Sequence, residues 1–219
     1  APEDLYRNMF VHKRLTSYKE QGCLVDVMRM HPYAKEVFRE FEGINVVEGH
    51  GEMLSCALSA GGIDTVCVHF LDQDMWDALK PFLGTIRLIV WLHGAEIQPW
   101  WRREYNYETQ EALEAAKKQS DVRMDFWHAV FKESETYDMQ FVFVSDYFAN
   151  EVFEDYQIRL PKDKYHIIHN CIDTDQFSYT PKRAEDRKKL LSIRPYGSNK
   201  YANDLTAKAI LELSKEPWF

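Results

Sequence analysis

Apolar and polar positions follow two rhythms along this chain, and the switches between them outline its elements. Tyr6 and Phe10 stand one helical turn apart, Val11, Leu15 and Tyr18 continue at helical spacing, and Gly22 is a natural helix stop. Residues 24–29 then read as a strand, with Val25 and Val27 alternating against Asp26. The spacing predicts a second helix over residues 34–41, ended by Gly43, and a short strand over 44–47. A small-residue helix follows over 53–58, closed by Gly61-Gly62, and another strand over 65–70. Asp72 is a good N-cap for a helix carrying Met75, Leu79 and Phe82. The polar segment 108–137 reads as a long exposed helix with one apolar stripe, Trp127, Val130 and Phe131. Residues 141–144 form a strand ending in Ser145-Asp146, 147–156 a helix and 165–168 a short strand.

The most informative run lies in the middle. Ile86-Arg-Leu-Ile-Val-Trp-Leu is nearly continuous in apolar residues and stops at His93-Gly94, before the loop Ala95-Glu96-Ile-Gln-Pro-Trp100-Trp101-Arg102-Arg103. Such a run reads as a strand buried on both faces, as in parallel sheets. Strands alternating with helices imply βαβ units, so the expected fold class is α/β, a Rossmann-like parallel sheet with helices on both faces. Ligands of open α/β sheets bind outside the carboxyl ends of the strands. His93 stands at such an end, and Gly94 lets the backbone turn or approach a ligand closely. Taken alone, a strand-end histidine is more often a side chain satisfied by a backbone carbonyl.

Composition narrows the classes. The chain has 219 residues, 45% hydrophobic and 14% aromatic, ample for a core. No stretch approaches the roughly 20 apolar residues that span a bilayer, and the start shows no signal-peptide pattern. A formal charge of −8 argues against nucleic acid as a partner, which needs a basic footprint. Cys23, Cys56, Cys67 and Cys171 lack CxxC spacing, so buried free thiols in a reducing cytosol are expected.

After Ile168 the composition shifts. Residues 169–187 are rich in Asn, Asp, Thr, Pro and charge and read as an interdomain linker. Beyond it, 190–193 is expected to begin a new strand and 202–214 a helix, with Leu205, Ala209 and Leu213 on one face. The organisation expected is therefore a Rossmann-like domain over 1–168, a linker over 169–187, and over 188–219 the first strand and helix of a second, truncated domain.

Ile168-His-Asn170-Cys-Ile-Asp173-Thr-Asp175-Gln-Phe177, then Leu190-Leu-Ser-Ile-Arg194 and Lys200-Tyr-Ala-Asn-Asp204, resembles the crossover of glycosyltransferase family 4, retaining enzymes of the GT-B architecture. That family carries a P-N-G-I-D-x-x-x-F loop, a strand ending in Arg and a Lys opening a helix, and its first domain has a His after a strand, as at His93-Gly94. The resemblance implies an acceptor-side domain of a transferase that moves a sugar from a nucleotide-diphosphate donor to a glycan or lipid-linked acceptor, as in polysaccharide biosynthesis. By the same resemblance His93 is the catalytic-site residue, meeting the donor sugar, and Gly94, Arg194 and Lys200 are donor-binding. Preorganised cations suit a leaving diphosphate, on which charge develops in the transition state. Glu96, Trp100, Arg102 and Arg103 fall on the acceptor side, where an aromatic-and-Arg loop stacks on a sugar or meets a phosphate or lipid surface. For Trp100-Trp101, packing against the long helix is an equal alternative. No metal or cofactor is implied, the nucleotide sugar being substrate. The location implied is cytoplasmic, peripheral to the inner membrane face at most.

The departures are a missing Gly-rich turn after a first strand, Cys171 in place of glycine, and no pair of glutamates at i and i+8 in the second domain. Glu40 and Glu48 have that spacing in the wrong domain. The segment by itself is therefore expected to be inactive. Two short patterns suggest metal ligands. Asp72-Gln-Asp74 and Asp173-Thr-Asp175 match the short D-x-D motif of GT-A transferases, but Asp72 has a sufficient role as a cap. His166, His169 and Cys171 match no standard zinc spacing. A non-catalytic ligand-binding or regulatory module is the alternative, since fold does not fix function.

Overall fold

The computed structural model describes residues 9–31, 33, 35, 37–175, 177–194 and 199–219. Tyr6, Ala34 and Gln176, which entered the patterns above, lie outside them. The chain forms two compact units, one of Ala1–Gln98 with Asp121–Asp173, the other of Pro99–Ser120 with Thr174–Phe219. The fold is α/β.

The first unit contains two sheets. One has three strands in the order β1 (Asp26–Met30), β3 (Ile44–Gly49), β2 (Val37–Phe41). β1 runs parallel to β3, and β2 runs antiparallel to it. Over its continuous described part, Val37–Phe41, the helix expected for 34–41 is thus corrected to a strand. Phe41 pairs with Ile44, leaving Glu42-Gly43 as a two-residue loop with φ of 48° and 74°. Two positive φ values make the tight hairpin turn whose twist matches its strands. Gly43 is a turn residue here and not a helix stop. Across the hairpin Arg39 Nη2 lies 2.8 Å from Glu48 Oε1.

The second sheet is fully parallel, with β4 (Thr65–His69), β5 (Arg87–Leu92), β6 (Met139–Phe143) and β7 (Tyr165–Ile167) in sequence order. Period-two alternation sorts its side chains. Val68, Leu88, Val90, Leu92, Met139, Phe141 and Phe143 belong to one buried cluster with Trp76 and Leu79 of α3 (Gln73–Leu79), Trp127, Val130 and Phe131 of α4 (Gln110–Glu133), and Phe148 to Tyr156 of α5 (Asp146–Tyr156). The stripe read from the sequence in α4 is the part of that helix that enters the core. Cys67, Ile89, Trp91, Gln140, Val142 and His166 point the other way, where α1 (Met9–Glu20) lies with Arg14 over the Trp91 ring. This is the Rossmann-like parallel sheet flanked by helices that the sequence implied, joined by a separate mixed sheet that it did not.

Side-chain caps open α3 and α5, the one at Asp72 as expected. Asp72 accepts a hydrogen bond from Met75 N at 2.9 Å and Ser145 accepts one from Phe148 N at 3.1 Å. α2 (Gly51–Ser59) starts directly after β3. Replacing Asp72 by Ala leaves an amide of the first turn without its acceptor. The expected loss is about 1 kcal/mol of unfolding free energy, read from the urea midpoint of the two proteins.

In the second unit, 3₁₀ turns over Trp100–Asn106 lead into the start of α4, and further 3₁₀ turns at Ala184–Lys188 and Asn199–Tyr201 precede α6 (Asn203–Leu213). The strand expected over 190–193 is not formed. Leu190, Leu191 and Ile193 are 63%, 85% and 80% exposed, and no ladder partner pairs with them among the described residues. An extended segment without such a partner leaves its backbone groups to water. The cysteines are a second correction. All four are free as expected, but all are exposed.

Candidate functional site

β4 and β5 run side by side in parallel; β4 ends in His69, and His93 directly follows β5. In register, His69 stands opposite Trp91, one step behind His93. Alternation puts both imidazoles on the side of the sheet that carries α1, and they meet there, with His69 Nδ1 2.9 Å from His93 Nε2. The surroundings are aromatic. Phe70 stacks on His93 with ring centroids 4.4 Å apart, Phe10 of α1 lies 4.9 Å from it, and Trp91 stacks on His69 at 5.4 Å.

This enclosure sets the charge of the pair. Burial, then the neighbouring His93 and the Arg14 guanidinium, push His69 down to about 3. Burial and Arg14 push His93 down to about 4. Both rings are therefore neutral at pH 7, and one N–H joins them. A neutral imidazole carries one donor and one acceptor. Since His93 uses Nε2 toward His69, its Nδ1 is the atom left for another partner.

The loop after His93 is held by side chains distant in sequence. Gly94 has φ of +133°, a conformation that favours glycine. A Cβ there would come no nearer than 3.6 Å to Gln98 Oε1, so the constraint is the backbone angle and not space. Gly94 O accepts from Ile97 N at 3.0 Å and Gln98 N at 2.8 Å. The Glu96 carboxylate accepts the His93 amide N–H. Three donors then clamp the loop carbonyls: Trp127 Nε1 to Glu96 O at 2.8 Å, Tyr156 Oη to Ile97 O at 2.7 Å, and Arg123 Nη1 to Gln98 O. Phe70, before α3, also has a positive φ of 59°. Non-glycine residues hold that region only where their surroundings impose it, and such positions cluster at functional sites.

Of the residues singled out in the sequence, His93, Gly94 and Glu96 form one constellation in the first unit. Trp100, Arg102, Arg103, Arg194 and Lys200 belong to the second. There Trp100 N donates to Ser120 Oγ at 3.0 Å and Lys117 Nζ lies 5.1 Å from the Trp100 ring, so Trp100 packs against the opening turns of α4. Arg102 and Arg103 sit in the 3₁₀ segment, broken at Arg103 by a non-helical backbone. Arg194 is exposed, with its guanidinium 5.4 Å from the Tyr201 ring, and exposed Lys200 lies in the turn before α6. His69 was not singled out beforehand. Its signal is present, since 65–70 is also an apolar run near whose end an imidazole stands, but the strand stops at His69 and not at Phe70.

A cavity of about 810 Å³ opens elsewhere in the first unit, lined by His31, His50, Glu52, Asp72, Asp74 and Asp77 among others. Asp72 and Asp74 of the D-x-D pattern thus share a cavity wall, with Asp72 also capping α3. His169 Nδ1 donates to Val144 O at 2.8 Å and Asp173 pairs with Lys13 at 2.6 Å. Among the described residues no group of three His, Cys, Asp or Glu side chains is arranged to hold a metal ion, and no helix is long and apolar enough to cross a membrane. No protein-family model matches the chain, and no curated protein matches it.

Proposed function

We propose that this chain belongs to a retaining glycosyltransferase of family 4, which transfers a sugar from a nucleotide-diphosphate donor to a glycan or lipid-linked acceptor on the cytoplasmic side of a membrane. The observation that carries the reading is His93 at the carboxyl end of a central parallel strand, on a loop clamped by Trp127, Tyr156 and Arg123. A clamped loop keeps a neutral imidazole preorganised, and preorganisation is what lets a polar group act on a transition state without reorganising. In this reading His93 Nδ1 meets a hydroxyl of the donor sugar. Gly94 permits close approach, and Arg194 and Lys200 meet the diphosphate. Glu96, Trp100, Arg102 and Arg103 lie toward the acceptor. Hydrolysis and transfer from a panel of nucleotide-diphosphate sugars, assayed with the natural full chain, test it. His93→Ala and Arg194→Ala are each expected to lower transfer at least about tenfold, roughly 1.4 kcal/mol of transition-state stabilisation, with melting curves unchanged. Wild-type rates in both variants would remove these site assignments, and no turnover of any donor by the wild type would remove the activity.

A further inference from the structure

A histidine ring turns about χ2 between two orientations of nearly the same shape, which exchange Nδ1 with Cδ2 and Nε2 with Cε1. The walls around His93 do not tell the two apart. Phe70 and Phe10 face its ring at 4.4 and 4.9 Å and present only carbon and hydrogen to it. The Glu96 carboxylate holds the backbone N–H of His93 and not its ring. Among the described residues, the 2.9 Å contact with His69 Nδ1 is the one hydrogen bond that the His93 ring makes. His69 is itself well placed for this. It is the last residue of β4, its position is set by the register with Trp91, and it stacks on that buried indole at 5.4 Å.

The bond also governs the hydrogens. Two neutral rings bring two N–H groups; one lies in the bond, and the other is on His93 Nδ1 or on His69 Nε2. His93 Nδ1 can therefore donate to a ligand oxygen or accept from a ligand hydroxyl, and both rings stay neutral in either case. We propose that His69 is a positioning residue acting through His93: its Nδ1 holds His93 Nε2, fixes the flip of that ring and leaves His93 Nδ1 to meet the ligand. The kinetic consequence rests on the transfer reading above, in which that ligand is the donor sugar. The ring geometry does not depend on it.

The test uses the full chain and three substitutions at His69. Asn carries its amide where histidine carries Nδ1, Gln carries it near the Nε2 position, and Phe fills the space of the ring without a polar atom. In wild type the N–H···N bond is expected to appear in nitrogen NMR as a coupling between the two ring nitrogens, assigned by its loss in His93→Ala. With a nucleotide-diphosphate sugar that the wild type turns over, His69→Phe is expected to lower kcat about tenfold with its melting curve unchanged. His69→Asn should restore most of that rate and His69→Gln little of it. On a His93→Ala background His69→Phe should cost nothing more, because the ring through which it acts is gone. A wild-type rate in His69→Phe, equal rates in His69→Asn and His69→Phe, or losses that add in the double variant overturn the proposal. So does the absence of the nitrogen–nitrogen coupling in wild type. If the wild type turns over no donor, the transfer reading fails and the coupling alone decides whether His69 holds the ring. If His69→Phe does not fold, the rate of His69→Asn against that of His69→Gln decides.

Discussion

Trp127→Ala is expected to destabilise the first unit by about 3–5 kcal/mol, the range for removing a large buried aromatic from a close-packed core. Trp127 is 0% exposed, in edge contact with Phe126 at 5.4 Å and 5.8 Å from Phe131, within the cluster that joins α4 to the sheet. Its indole N–H has a second task, the 2.8 Å bond to Glu96 O in the His93 loop. Trp127→Phe separates the two. It keeps most of the ring volume and leaves the Glu96 carbonyl without its donor, so a cost of about 1–3 kcal/mol is expected. Urea unfolding of both variants gives the numbers. If Trp127→Phe is as stable as wild type, the bond to Glu96 O contributes nothing and the loop is held by Tyr156 and Arg123 alone.

The clamp explains why the site was only partly legible. The Ile86 to Leu92 run, its terminal His93 and the cap at Asp72 are local signals, and each stands where the sequence put it. The donors to the loop come from 25, 31 and 59 residues away, a distance over which a sequence carries no pairing information without a fold. The hairpin was misread for a different reason. Val37, Phe38 and Phe41 satisfy helical spacing, but in the strand only Val37 and Phe41 share a face and Phe38 is exposed; and a glycine with positive φ ends a helix as well as it turns a hairpin. His69 was missed by one residue of strand length, yet strand parity alone places it on the same side as His93. Leu190 to Ile193 show the reverse limit: apolar residues in a row do not make a strand without a neighbour to pair with.

The histidine pair also predicts how stability responds to acid. In an unfolded chain each imidazole takes its proton near the ordinary value of about 6.5. In the fold His93 resists until about 4 and His69 until about 3. Between these limits the unfolded state binds more protons than the native one, so stability is full above the unfolded value and falls as pH drops through the window. From pH 7 to pH 5 the pair is expected to lose about 2 kcal/mol of unfolding free energy. This is about half of what the two shifts would give undiscounted, because both rings are only partly shielded from water. The physical cost is that a protonated ring would have to sit among Phe10, Phe70 and Trp91 beside the Arg14 cation. His69→Gln removes one of the two titrating groups and His93's partner ring. Urea midpoints of wild type and variant at the two pH values measure the difference. The variant should lose about half as much as wild type on acidification. An identical loss in both would mean that the acid sensitivity belongs to carboxylates elsewhere and that the two rings are not kept neutral by the fold.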